Sequence, residues 1–334
     1  MVKSLYILGN GFDIHHGIKS KYSDYHEWLE KNDNGTYEKL CAIYDTCAYK
    51  WWNNFEQSLS KVSFDYISNT SSENTPVYGS DGFSDADNHR AAFQVELDME
   101  NLLNLVKLSL EKWVNGLNRA NKGKLRLADK ENSFFITFNY TRTLEEVYNI
   151  PKAQICHIHG CISEGDLIVG HNKTSEEIYK VLKGKEKLPP KGLTDAELEE
   201  WMECFTDDLT TQDVIDASSA YAGRMKKNVR GIIAQHQKLF ETFKDVEKIY
   251  VLGFSFSPID VPYIEEILKY IDKEKVIWVV SSYSYSDNVA IGDFINRNSL
   301  DNRLWRIIKL ETLDECKELM LDLKCRVSSS MFQY

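Results

Sequence analysis

The chain has no C-x-x-C pair, no excess of basic charge, no visible internal repeat and no apolar run near the roughly 18 to 20 residues that a membrane span needs. Each absence removes a class of protein. Seven cysteines, scattered at 41, 47, 156, 161, 204, 316 and 325, argue for reduced thiols and against a disulfide framework or structural zinc. With 40 Lys and Arg against 51 Asp and Glu, the net charge of −11 offers no generic grip on nucleic acid. There is no G-x-x-x-x-G-K-[ST], which disfavours a Walker-type ATPase, and no G-x-S-x-G, which disfavours a serine hydrolase. The apolar stretch at the start is too short for a signal peptide and runs into a glycine turn, so a cytoplasmic protein without a membrane segment is expected.

What remains is a globular composition: 334 residues, 43% hydrophobic, 12% aromatic and 27% charged. Short β-rich apolar runs bounded by polar or turn residues predict core strands at about 4–9, 134–139, 154–159, 249–253, 276–281 and 305–310, with a further short one at Leu167-Ile-Val169. Their continuous apolarity suits strands covered on both faces. The expected fold is α/β, a doubly wound, mostly parallel, Rossmann-like sheet in a single domain over 1–334, with helical insertions at about 30–130 and 173–247. In the first insertion Val95, Met99, Leu102, Val106, Leu110, Trp113 and Leu117 recur at helical spacing. In the second, Tyr221, Met225, Val229, Ile232, His236, Phe240 and Phe243 do the same, with His236 read as a core histidine. The polar segments 69–88 and 183–194 read as loops.

Four polar clusters close predicted strands, at the edge where open α/β sheets place ligand contacts. In Gly9-Asn10-Gly11-Phe12-Asp13 the glycines allow close backbone approach to a phosphate, or simply a tight turn with Asp13 as a cap; Asp13, repelled by phosphate, suits a ribose hydroxyl or backbone amides. Asn139, in Phe138-Asn-Tyr-Thr141, offers both donor and acceptor to a ribose or a water, or else serves a turn. His157 and His159 share a face by alternation, and Gly160 lets the chain turn away while leaving the imidazole exposed; a histidine here suits proton transfer near neutrality. Together with His171 they suggest metal ligation, but no acidic or cysteine partner stands at a familiar spacing, and no metal is expected. Last, Gly253, Ser255 and Asp260 lie in a Gly/Ser turn whose hydroxyls and acid fit phosphate and sugar.

These clusters, with Glu145, Gly170-His-Asn172 and Val261-Pro-Tyr263, resemble the AbiH family of bacterial abortive-infection proteins and the NAD-binding core of sirtuin-like proteins. The resemblance implies a sirtuin-like sheet, NAD as ligand and antiphage defence by NAD depletion. It implies Asn139 as the residue orienting sugar or water, His159 as the catalytic histidine and Asp260 as the ribose-side acid. The zinc module and Gly-Ala-Gly loop of sirtuin deacylases are missing, which argues against protein deacylation.

The expected activity is therefore that of an NAD glycohydrolase with no cofactor beyond NAD itself, the substrate. The alternative is a non-catalytic NAD or ADP-ribose sensor that signals to a partner; hydrolysis of another nucleotide or of an RNA end is a third reading. A free NADase turning over at roughly the 10 per second median for enzymes would exhaust its host's cofactor. Latency is thus expected, relieved by homo-oligomerisation or by a regulatory protein partner.

Overall fold

Runs of four or five apolar residues flanked by breakers are long enough for one buried strand each. The computed structural model describes residues 2–47, 49–77, 84–117, 125–165, 167–184, 194, 196, 197 and 209–313. It forms six such strands: β1 (Ser4–Leu8), β2 (Ser133–Thr137), β3 (Ile155–His157), β4 (Lys248–Leu252), β5 (Ile277–Ser281) and β6 (Trp305–Ile308). All pair in parallel, in the order β3-β2-β1-β4-β5-β6. Every residue of β1 is buried, as are four of the five residues in β4 and in β5, which is what helices on both faces of a parallel sheet require. The fold is thus α/β and Rossmann-like, as the apolar runs predicted. Strand order reverses direction between β1 and β4, and in open sheets that switch point is where a crevice opens at the carboxyl ends.

Register places aromatic rings side by side. Phe135, Tyr6 and Tyr250 are partners across β2, β1 and β4, and their rings stack at centroid distances of 4.8 and 4.5 Å. Trp278 and Trp305 stack likewise at 4.5 Å across β5 and β6. Each such pair contributes about 0.5–1.5 kcal/mol beyond its burial. Tyr6, Leu8, Phe12, Phe135, Tyr250 and Leu252 belong to the core on one side of the sheet.

The chain divides into two compact units. One, drawn from 1–21, 114–167 and 228–334, carries the sheet with helices Asn10–His15, Thr143–Tyr148, Val229–Phe240, Val261–Ile267 and Tyr285–Arg297. The other, from 22–113 and 168–227, is helical. The insertions therefore gather into a unit of their own, with limits shifted from the expected 30–130 and 173–247. Its core includes Tyr25, Trp52 and Phe55, whose rings meet edge-on or stacked, and the Lys227 ammonium, which is buried against Glu56 at 2.8 Å.

Several local expectations change. Leu167–Val169 is not a strand: Leu167 and Val169 are buried, but the backbone beyond them pairs only at an isolated bridge between His171 and Lys226. The first apolar stripe breaks at Glu100–Asn101 into helices Arg90–Met99 and Leu102–Asn115. The second breaks where Asn228 caps a new helix by accepting from the Gly231 amide at 3.1 Å. Residues 69–73, expected in a loop, continue the helix Phe64–Glu73 capped by Ser63, whereas 78–83 and 185–193 lie outside the described residues. Among the described residues no helix is long and apolar enough to cross a membrane.

Candidate functional site

At the switch point the backbone closes on itself. The Gly9 amide donates to Leu252 O at 3.1 Å, and the Gly11 amide donates to Gly253 O at 2.9 Å. A Cβ on Gly9 would stand 2.5 Å from Gly253 O, and one on Gly253 would stand 2.1 Å from the Phe12 amide nitrogen. Gly253 also has a φ of +64°, so glycine is demanded twice over. These glycines bring the β1 and β4 exits together, and the two amides are directed at protein carbonyls rather than outward. Phe12 is buried in the core, while Asn10 is exposed and exchanges hydrogen bonds with Ser20.

Asp13 lies fully inside. Its two carboxylate oxygens accept from the Thr141 hydroxyl at 2.6 Å and the Thr143 hydroxyl at 2.7 Å. Burial raises its pKa, and hydrogen bonds from Thr141, Thr143 and Asn139, with the charge of His157, act in the opposite direction. The carboxylate expected at a ribose is therefore held by the loop after β2.

Asn139 stands at the centre of this edge. Its amide group donates to Gly9 O at 3.1 Å and reaches Asp13, its backbone amide donates to Thr137 Oγ1 at 3.1 Å, and its carbonyl faces His157 Nδ1 at 3.3 Å. The side-chain Oδ1 is buried and has no hydrogen-bond partner among the described residues. An unmet buried acceptor costs about 1–3 kcal/mol, so this oxygen is suited to an incoming hydroxyl or water.

The two histidines, two residues apart, go to different partners. His159 Nε2 faces Asp260 Oδ1 at 3.4 Å, and its ring is enclosed edge-on by Phe138 and Tyr263, with Phe254 against Phe138. Gly160, at φ +82°, turns the chain away, but the imidazole expected to be exposed there is only 4% exposed because these rings enclose it. Ser255 is exposed at the rim of the turn after β4.

His157 instead joins Glu145 and Cys161. Its Nε2 lies 3.4 Å from Glu145 Oε1, and the ligand atoms of all three side chains are within 4.8 Å of one another. Burial opposes a charged His157, but Cys161 and Glu145 outweigh it and push the pKa up to about 10. In turn, burial disfavours charge on Glu145 and Cys161, yet His157 above all holds both pKa values below their ordinary values. The acidic and cysteine partners that the spacing did not suggest are thus supplied by the fold; Cys161 stands directly after Gly160, but its role has no local signature.

His171 belongs to the helical unit. Buried, with a lowered pKa for that reason, it donates from Nε2 to Ala222 O at 2.9 Å and accepts the Lys173 amide at Nδ1 at 3.0 Å. Both ring nitrogens are committed, and Gly170 lies against the Met225 carbonyl. The structure therefore brings together Gly9, Gly11, Asp13, Asn139, His157, His159, Gly160, Gly253 and Asp260 within the sheet unit, and places His171 in the other. Thr143, Cys161 and Tyr263 complete the cluster from the start of the helix after β2, the turn after β3 and the helix after β4.

No curated protein and no solved structure matches the chain. A family model described as bacteriophage abortive infection AbiH matches residues 5–282, most of the sequence and every strand of the sheet up to β5. The chain belongs to the AbiH family.

Proposed function

We propose that the protein serves phage abortive infection by hydrolysing NAD to nicotinamide and ADP-ribose at the carboxyl edge of β1–β4. The observation that carries this reading is the buried, unmet Asn139 Oδ1 at the switch point, beside a His159–Asp260 pair. Asn139 accepts from a ribose hydroxyl or from the attacking water. Asp260 orients the imidazole of His159, which takes a proton from that water as its oxygen bonds to the ribose anomeric carbon. The carbon–nitrogen bond breaks with its electron pair going to the pyridinium nitrogen, so neutral nicotinamide leaves without an acid, and the proton passes to solvent. The transition state is oxocarbenium-like, as in other glycosidic cleavages. Self-assembly or a regulatory protein partner would release the activity.

The enclosure of the His159 side chain favours a second reading, in which the same edge binds NAD or ADP-ribose without cleaving it. Incubating the purified chain with NAD, alone and at concentrations that promote self-association, and quantifying nicotinamide separates the two. Nicotinamide release that is lost in His159→Ala supports hydrolysis. Calorimetric binding of NAD without release makes the protein a sensor, and neither binding nor release defeats both readings.

A further inference from the structure

We propose that Glu145, His157 and Cys161 form a binding site for a divalent cation of the Zn2+ class. The three donors come from separate places: the helix Thr143–Tyr148, the end of β3 and the turn beyond Gly160. Only the fold brings them within 4.8 Å of one another. The combination of an imidazole nitrogen, a thiolate and a carboxylate suits Zn2+, whereas Mg2+ and Ca2+ take oxygen ligands.

Two features beyond the juxtaposition point to a metal. First, His157 Nδ1 faces the Asn139 carbonyl at 3.3 Å. Donation there leaves Nε2, the nitrogen on the Glu145 side, as the ligand atom once a cation displaces its proton, the arrangement in which a backbone carbonyl orients a metal-binding histidine. Second, Glu145 Oε2 is buried with no hydrogen-bond partner among the described residues, and the whole side chain is only 10% exposed. A carboxylate with one oxygen near His157 and the other unmet in a closed space has acceptor capacity that a cation would use. Arg142, whose Nε lies 3.7 Å from Glu145 Oε1, is a half-exposed neighbour and leaves that second oxygen unmet.

The bound ion would tie the exit of β3 to the helix that follows β2. His159 is two residues past one ligand, so the ion would also hold the turn from which His159 projects. Metal binding at this site would not require NAD or its cleavage.

The full chain, stripped with a chelator, is titrated with Co2+ and then with Zn2+. The expected result is one equivalent of Co2+ per chain, with a thiolate-to-cobalt charge-transfer band that Zn2+ displaces. Cys161→Ser should remove that band, and Glu145→Gln should weaken binding by more than about 100-fold, exceeding the loss typical of an outer-shell partner. Cys41→Ser, which alters an exposed thiol in the helical unit, should change nothing. If the wild-type chain shows no charge-transfer band, or if the band survives Cys161→Ser, the site does not exist as proposed; the wild-type titration decides even where a variant fails to fold.

Discussion

The exits of β1 and β4 and the exits of β2 and β3 lie on one edge of one sheet, yet they use their polar groups in opposite ways. At the β1/β4 exits, glycines remove side chains so that two backbones can bond directly, Gly11 to Gly253. At the β2/β3 exits, side chains do the work: Asp13 is grasped by Thr141 and Thr143, His157 meets Glu145 and Cys161, and Asn139 links both networks. A glycine-rich turn after a buried strand is thus no guarantee of a phosphate cradle. What matters is where the amides point, and here two of them point at protein carbonyls.

The contrast breaks most sharply at Gly253. Gly253→Ala puts a Cβ against backbone atoms that have no rotamer to escape by, in a positive-φ conformation, and should destabilise the fold by about 3 kcal/mol or more. A denaturant midpoint close to wild type would show that the two exits can part without loss, and the distinction drawn above would fail.

Next in size are substitutions at Asn139. Replacing it with Asp turns its donors toward Gly9 O and Asp13 into acceptors facing acceptors, so Asn139→Asp should fare no better than Asn139→Ala. On the proposed hydrolysis of NAD, each should lower nicotinamide release about 100-fold, the scale of losing one positioned polar group. Retention of activity by the Asp variant would show that the amide donors to Gly9 O and Asp13 are not needed.

Asp13→Ala should cost about 2 kcal/mol, because two threonine hydroxyls lose their acceptors. The pH dependence has a definite sign. An acid whose folded pKa is raised contributes its full stability below the ordinary value of 3.8 and loses it as pH rises through the folded value. Asp13→Asn has no proton to lose, so the stability gap between the two should shift in favour of the variant as pH rises from about 4, measured by urea melts across a pH series.

The smallest effect belongs to His16, on the glycine side. It donates from Nδ1 to Phe12 O and accepts at Nε2 from Tyr148, whose hydroxyl accepts the Leu125 amide, so the ring is neutral and burial lowers its pKa. Its contribution is full above its ordinary value of 6.5 and is lost as pH falls through the lowered folded value. His16→Phe should flatten the acid limb of the stability profile by at most one proton's worth of slope.

All six core strands were legible because a buried parallel strand is a local signal, an apolar run between breakers, and each run is complete within a few residues. Leu167–Val169 carries the same signal but becomes no strand: the nearby backbone pairs only at the isolated bridge of His171 with Lys226. The breaks at Glu100 and Asn228 have no signature in the apolar stripe, which keeps its period across both; at Asn228 it is the side-chain cap that starts a new helix.

Site residues divide on the same line. The sequence alone placed Asn139, His157 and His159 at strand ends and Asp260 beyond the turn after another, since alternation and turn chemistry act over neighbours. Who touches whom was decided by strand order, which sets residues more than a hundred positions apart side by side: Asp13 against Thr141 and Thr143, Asn139 against Gly9. Cys161 became a partner of His157 and Glu145 through the turn after β3, and His171 packs within the helical unit. Hydrophobic pattern is written residue by residue, whereas a buried polar group's partner is whichever group the packed chain delivers, and only the tertiary fold makes that delivery.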